Sequence, residues 1–100
     1  MTLEKIATLA DTLAARLKDN PNDAQGWGML ARSNVVLGRY SEAAVAFKRA
    51  VALVKDDAQL YADYADALAM ANDRSLSGEP MQLVAQALKL DPNNLKALTL

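Results

Sequence analysis

The chain contains neither cysteine nor histidine. Without cysteine there is no disulfide framework, no thiolate zinc site and no thiol nucleophile. Without histidine there is no imidazole acid or base, and Ser–His and Cys–His pairs are excluded. Aromatic residues make up only 5% of the sequence, and alanine supplies much of its 52% apolar content, which favours closely packed helices over a sheet sandwich. A charge excess is missing too: the formal net charge is −1 and the pI about 5.2, so no basic field draws the chain to nucleic acid or anionic lipid. No uncharged stretch approaches the length that spans a bilayer, and Met1-Thr2-Leu3-Glu4-Lys5 begins like a helix rather than a signal peptide. These gaps predict a protein that is not an enzyme and takes no cofactor or metal. They leave the compartment open, because a helical protein needs no disulfide anywhere.

What is present is organised around Ala24 to Asp57, AQGWGMLARSNVVLGRYSEAAVAFKRAVALVKDD, which reads as two short amphipathic helices hinged at Leu37-Gly38-Arg39-Tyr40. Trp27 and Leu30 lie one turn apart on one face of the first helix and can fill the space before the second. Ala31, Ala43 and Ala50 are small where two backbones must approach. Gly38 follows the last periodic residue, where a left-handed helix end is cheapest for glycine. Ser41 reads as the N-cap of the second helix. Counting from Ala24, Trp27, Leu30, Ala31, Gly38, Tyr40, Ala43, Phe47 and Ala50 fall at positions 4, 7, 8, 15, 17, 20, 24 and 27. This resembles the tetratricopeptide (TPR) repeat, a helix-turn-helix unit of about 34 residues that cannot hide its apolar face alone and calls for stacked neighbours.

On either side the pattern continues. Residues 2–18 carry Leu3, Ile6, Leu9, Ala10, Leu13, Ala14 and Leu17 at helical spacing, with Thr2 as cap and Pro21 beyond the end. Residues 1–23 are therefore read as a leading helix and loop that cover the open end of the stack. Residues 58–94 form a second unit with Tyr61, Tyr64 and Ala65 in place of the Trp, Leu and small residue; helices over 58–71 and 79–90 flank a longer hinge, with Pro80 tolerable in the first turn of the latter. Residues 95–100 begin a third unit. The prediction is an all-α fold of TPR units, 24–57, 58–94 and a truncated last one, stacked as a right-handed solenoid in a piece of a longer protein. Leu95, Leu98 and Leu100 would then expose apolar surface through which two copies of the fragment pair. Asn34, at position 11 where the TPR pattern usually has Tyr, needs a hydrogen-bond partner.

The strings NPNDAQGWGMLARSNVVLGRYSEAAVAFKRAVAL, YADYADALAMA and SLSGEPMQLVAQALKLDPNNLKALTL, with the leading TLADTLAARLKDNPND, resemble a more specific family over essentially the whole chain. It is the periplasmic TPR domain of c-type cytochrome biogenesis proteins of the CcmI (CycH) kind, with NrfG of nitrite reductase assembly as a relative. The N-P-N-D-x-x-G-W opening and the S-G-E-P loop are its most telling parts. The resemblance implies a membrane-anchored protein facing the periplasm. It also implies a scaffold that grips a helical C-terminal segment of apocytochrome c and delivers it to the haem-ligation machinery. The alternative is a general TPR interaction module with another assembly client.

In a TPR stack the first helix of each unit lines the concave side, here through Gln25, Gly28, Met29, Arg32, Val35 and Val36. The second unit supplies Gln59, Ala62, Asp63, Asp66, Ala69 and Met70, and Lys96, Thr99 and Leu100 follow. Gly28 and Ala62 with Met29, Met70 and Val36 suit the apolar face of an amphipathic helix. Asp63 and Asp66 would repel a carboxylate, which argues against a clamp for a C-terminal carboxylate. Each residue has a plainer reading: Arg32 pairs with Asp63 or Asp66 on the adjacent helix, Met29 and Met70 fill the core, and the two aspartates form a solvated face.

Overall fold

The computed structural model describes residues 1–100, and its helices begin where local chemistry can cap them. There are six: α1 (Leu3–Asp19), α2 (Ala24–Val36), α3 (Tyr40–Leu53), α4 (Ala58–Ala71), α5 (Glu79–Leu90) and α6 (Leu95–Thr99). Thr2 Oγ1 accepts the Lys5 amide at 3.2 Å to start α1. The same device recurs at α2, α4 and α6. There the Asp23, Asp57 and Asn94 side chains accept the amides of Gly26, Leu60 and Ala97 at 2.9, 3.1 and 2.9 Å, satisfying donors the helix leaves open. The start of α3 differs from the expectation for Ser41. Helix α3 already begins at Tyr40, its cap position is Arg39 without a side-chain bond, and Ser41 lies exposed in the first turn.

The turn from α2 to α3 explains that shift. Gly38 has φ +74°, and the amides of Gly38 and Arg39 donate back to Val35 O and Asn34 O at 3.0 and 2.8 Å. This double closure tightens the end of α2 and brings the chain into α3 so soon that Arg39, rather than Ser41, falls at the cap position. The turn from α4 is longer and is built without glycine at the same place. Asp73 and Arg74 take φ values of +54° and +65°, and the Arg74 amide donates to Ala69 O at 2.7 Å. Gly78, with φ +80°, then leads into α5, where Pro80 sits buried in the first turn.

Each helix packs on its neighbour in the chain, α1 on α2 through to α4 on α5, and α6 rests on both α4 and α5. The result is the all-helical stacked-hairpin arrangement expected of a TPR repeat. Ala31, Ala43 and Ala50 have no exposed surface and stand at the tight crossings. Around them Leu17, Leu30, Phe47 and Tyr64 form the main core, and the Phe47 and Tyr64 rings stack at 6.4 Å between centroids to join α3 to α4. Trp27 packs on this core from its edge; its Nε1 donates to Pro21 O at 2.8 Å and Arg49 lies over its ring at 5.4 Å. A smaller core of Ala62, Ala65, Val84, Ala87 and Ala97, flanked by Tyr61, joins α4, α5 and α6. In α1 only Ala10 and Leu17 are buried, while Leu3 and Leu9 are mostly exposed. Helix α1 has one neighbour to pack on, so one stripe of its apolar residues is covered.

Candidate functional site

The residues expected on the concave side come from α2, α4 and α6, and one lysine ties the α4 and α6 members together. Lys96 Nζ donates to Asp63 Oδ1 at 2.9 Å and lies 3.2 Å from Asp66 Oδ2. Asp63 is further bonded by Gln59 Nε2 at 3.0 Å, and Gln59 Oε1 accepts from Asn94 Nδ2 at 3.1 Å. Polar side chains at helical spacing on α4 thus meet the cap and first turn of α6, and the network fastens α6 across the groove. Burial pulls the Lys96 ammonium down, but the hydrogen bonds and charges of Asp63 and then Asp66 outweigh it and hold its pKa above 10.5.

This corrects the expected pairing of Arg32 with Asp63 or Asp66. Both aspartates are taken by Lys96, and Arg32 makes no ion pair. Its guanidinium instead folds along its own helix over Gly28, where a Cβ would come within 3.4 Å of it. Gly28 is buried beneath that group, so its lack of a side chain seats Arg32 rather than leaving open floor for a ligand.

Two hollows flank Arg32. One, of about 290 Å³, is walled by Val35, Val36 and Phe47 and edged by Asp63, Asp66 and Lys96. The other, of about 360 Å³, runs past Gln25 and Gly28 to Val54 and Leu60 at the junction with α4. The structure therefore gathers Arg32, Val36, Asp63 and Asp66 around one hollow and Gln25, Gly28 and Arg32 around the other, and this strip of two hollows has Arg32 as the residue common to both. It does not bring Ala62, which has no exposed surface and is spent in the small core against Ala97 and Ala87. Met29 is 52% exposed, so it is not core filler, but it lines neither hollow. Met70 is half-buried outside both, and Gln59 turns its amide to Asp63 and Asn94. Phe47, Val54 and Leu60 also line these hollows, which the repeat pattern does not predict. Their spacing signals helix interior, and nothing in a single sequence marks which core residues also meet the groove.

No group of three or more acidic residues is placed to hold a metal ion, and no helix is long and apolar enough to cross a membrane. On the opposite side of α2 the Asn34 side chain is buried, 4% exposed, and its Oδ1 has no hydrogen-bond partner. The partner anticipated for it is not there.

Comparison with known proteins places this geometry. The chain is 33% identical over 100 residues to the cytochrome c-type biogenesis protein CcmH of Escherichia coli K12, covering 97% of this chain and 28% of that protein. It is 31% identical over 88 residues to the cytochrome c-type biogenesis protein CycH of Pseudomonas aeruginosa, 88% of this chain and 22% of that one. With the formate-dependent nitrite reductase complex subunit NrfG of Escherichia coli O157:H7 it shares 27% identity over 88 residues, 88% of this chain and 44% of the relative. The chain thus spans less than half the length of each of these relatives. A family model described as the cytochrome c-type biogenesis protein H TPR domain matches residues 1–100. With stacked helical hairpins, a cap repeated at the start of α2, α4 and α6, and this full-length match, the chain belongs to the TPR domain family of cytochrome c-type biogenesis protein H.

Proposed function

We propose that the strip along α2, α4 and α6 holds an amphipathic helical segment of a client polypeptide, and that the client is an apocytochrome c during cytochrome c maturation. In this reading the domain acts by binding rather than turnover, works in the periplasm, and hands its client to the haem-ligation machinery. Attachment to the membrane would come from parts of the longer relatives that these residues do not cover. The biogenesis role is taken from the names of CcmH and CycH, and the mode of binding from the geometry.

The observation that carries the reading is the open hollow beside Arg32, with valine and phenylalanine walls and a balanced charge set. Lys96 and Arg32 face Asp63 and Asp66, two cations against two anions. Such a floor offers little long-range attraction to either sign, so affinity must come from apolar contact, and binding should be nearly independent of ionic strength. The test is titration of the domain with a peptide from an apocytochrome c C-terminus. Saturable binding is expected, weakened at least tenfold, about 1.4 kcal/mol, by Val36→Asp. Val36 is 59% exposed, so the substitution leaves the fold intact. Absence of saturation, or equal binding by Val36→Asp, would overturn the proposal. The likeness to NrfG favours one rival, a client from another assembly. A peptide from a nitrite reductase subunit that binds more tightly than the cytochrome peptide would decide for it.

A further inference from the structure

A second concavity lies on the face of α2 turned away from the strip. At about 100° per residue, Trp27, Leu30 and Asn34 share one side of the helix, opposite Gln25, Arg32 and Val36. Between this side, α1 and α3 is a hollow of about 230 Å³. Its walls are small or apolar, with Ala10 and Ala14 from α1, Ala46 from α3, and Trp27 and Leu30 from α2. Arg39 and Asp11 stand at its rim, joined to each other at 3.1 Å, so the mouth carries an ion pair that is already neutralised. Glu42 also lines it and disfavours an anion.

The amide of Asn34 is the odd group in this setting. It lines the hollow, is more than nine-tenths buried, and its Oδ1 has no partner. A buried acceptor without a donor is uncommon and calls for a group that supplies one. At the same offset from the cap of α4 the residue is Leu68, half-buried, so the fold does not demand an amide here.

We propose that this hollow is a binding site for a neutral aromatic ring bearing one hydroxyl, a phenol. The walls select an uncharged, largely apolar body, since a charged one would lose its hydration without gaining a partner. A cavity of roughly 150 Å³ lined by apolar residues accepts benzene in another protein, so the larger space here accommodates a substituted ring. The hydroxyl both donates and accepts, so it pairs with whichever atom of the Asn34 amide is turned to the hollow, and a flip of the amide exchanges the two. The ring can belong to a free small molecule or to a tyrosine side chain, and the hollow reads the same chemistry in both.

The sole tryptophan of the chain lines the site, so its indole N–H resonance is a built-in reporter. The experiment titrates the domain with p-cresol, toluene and N-acetyltyrosinamide, and follows that resonance. Saturable shifts with p-cresol at millimolar concentration are expected, with toluene at least tenfold weaker. Asn34→Tyr, which fills the hollow with its own ring, abolishes the response. Asn34→Leu keeps the space but removes the preference for p-cresol over toluene. Response to N-acetyltyrosinamide at comparable concentration assigns the ring to a protein side chain, and response to p-cresol alone assigns it to a free ligand; either supports the site. No saturable shift with any of the three, or shifts that persist in folded Asn34→Tyr, would overturn it, as would an undiminished preference for p-cresol in Asn34→Leu.

Discussion

Two glycines two residues apart in α2 serve opposite purposes. A Cβ on Gly26 would stand 2.6 Å from Asp23 Oδ2 and 3.0 Å from Leu17 Cδ2, so Gly26→Ala must displace either the cap of α2 or the packing of α1. Overpacking of this kind predicts a loss of roughly 1–3 kcal/mol in urea denaturation. A Cβ on Gly28 meets only the mobile end of Arg32 at 3.4 Å. Gly28→Ala should therefore be neutral or stabilising by up to about 1 kcal/mol, the helix-propensity difference. The sequence announces both glycines equally and cannot rank them, because the deciding neighbours belong to a cap and to another helix. Arg32 teaches the same point. Its aspartates were visible one helix away, but Lys96, 33 residues from Asp63 in the chain, reaches them first. Asn34 was legible as a misfit but not its outcome. Its unpartnered Oδ1 predicts that Asn34→Leu raises stability by about 1–2 kcal/mol, the cost of a buried unsatisfied acceptor.

At the scale of elements, the hinges divide what a sequence declares from what it conceals. Gly38 sits in the left-handed region at φ +74°, as its place after the last periodic residue of α2 foretold, and Gly38→Ala should cost about 1–2 kcal/mol for a side chain in that conformation. The longer hinge reaches the same backbone with Asp73 and Arg74, which carry no obligatory signal for it. There the expectation could fix the length of the loop but not its path. Helix α1 was legible as a helix and misleading as a packing surface, since apolar spacing marks a face without saying how many partners cover it. With Leu3 and Leu9 exposed and α2 its one substantial neighbour, the first turns of α1 should exchange their amides ahead of every other helix longer than two turns, as hydrogen-exchange mass spectrometry would show.

For the whole molecule, the fold class was readable because each hairpin repeats its own evidence: a cap, a small residue at the crossing, an aromatic wedge. What fastens α6 to α4 was not, since it depends on a polar network between distant residues. That network and the Tyr64 hydroxyl both make stability depend on alkaline pH. Burial first, and then the charge of Glu79, raises Tyr64 above 10.0, and Lys96 is raised above 10.5. In both cases the folded chain holds its proton at a pH where the unfolded chain has released it, so stability must fall as pH rises through that range. Unfolding free energy should lose nothing from these two groups up to about pH 10 and then decline. In Tyr64→Phe with Lys96→Met that decline should be shallower.

The most direct measurement maps the amide resonances of the domain as an apocytochrome c C-terminal peptide is added. Saturable shifts are expected, concentrated at Arg32, Val35, Val36, Asp63 and Asp66, on the side where α2 and α4 flank the Arg32 hollow. Shifts centred on the outward residues of α3 and α5, or none at saturating peptide, would contradict it.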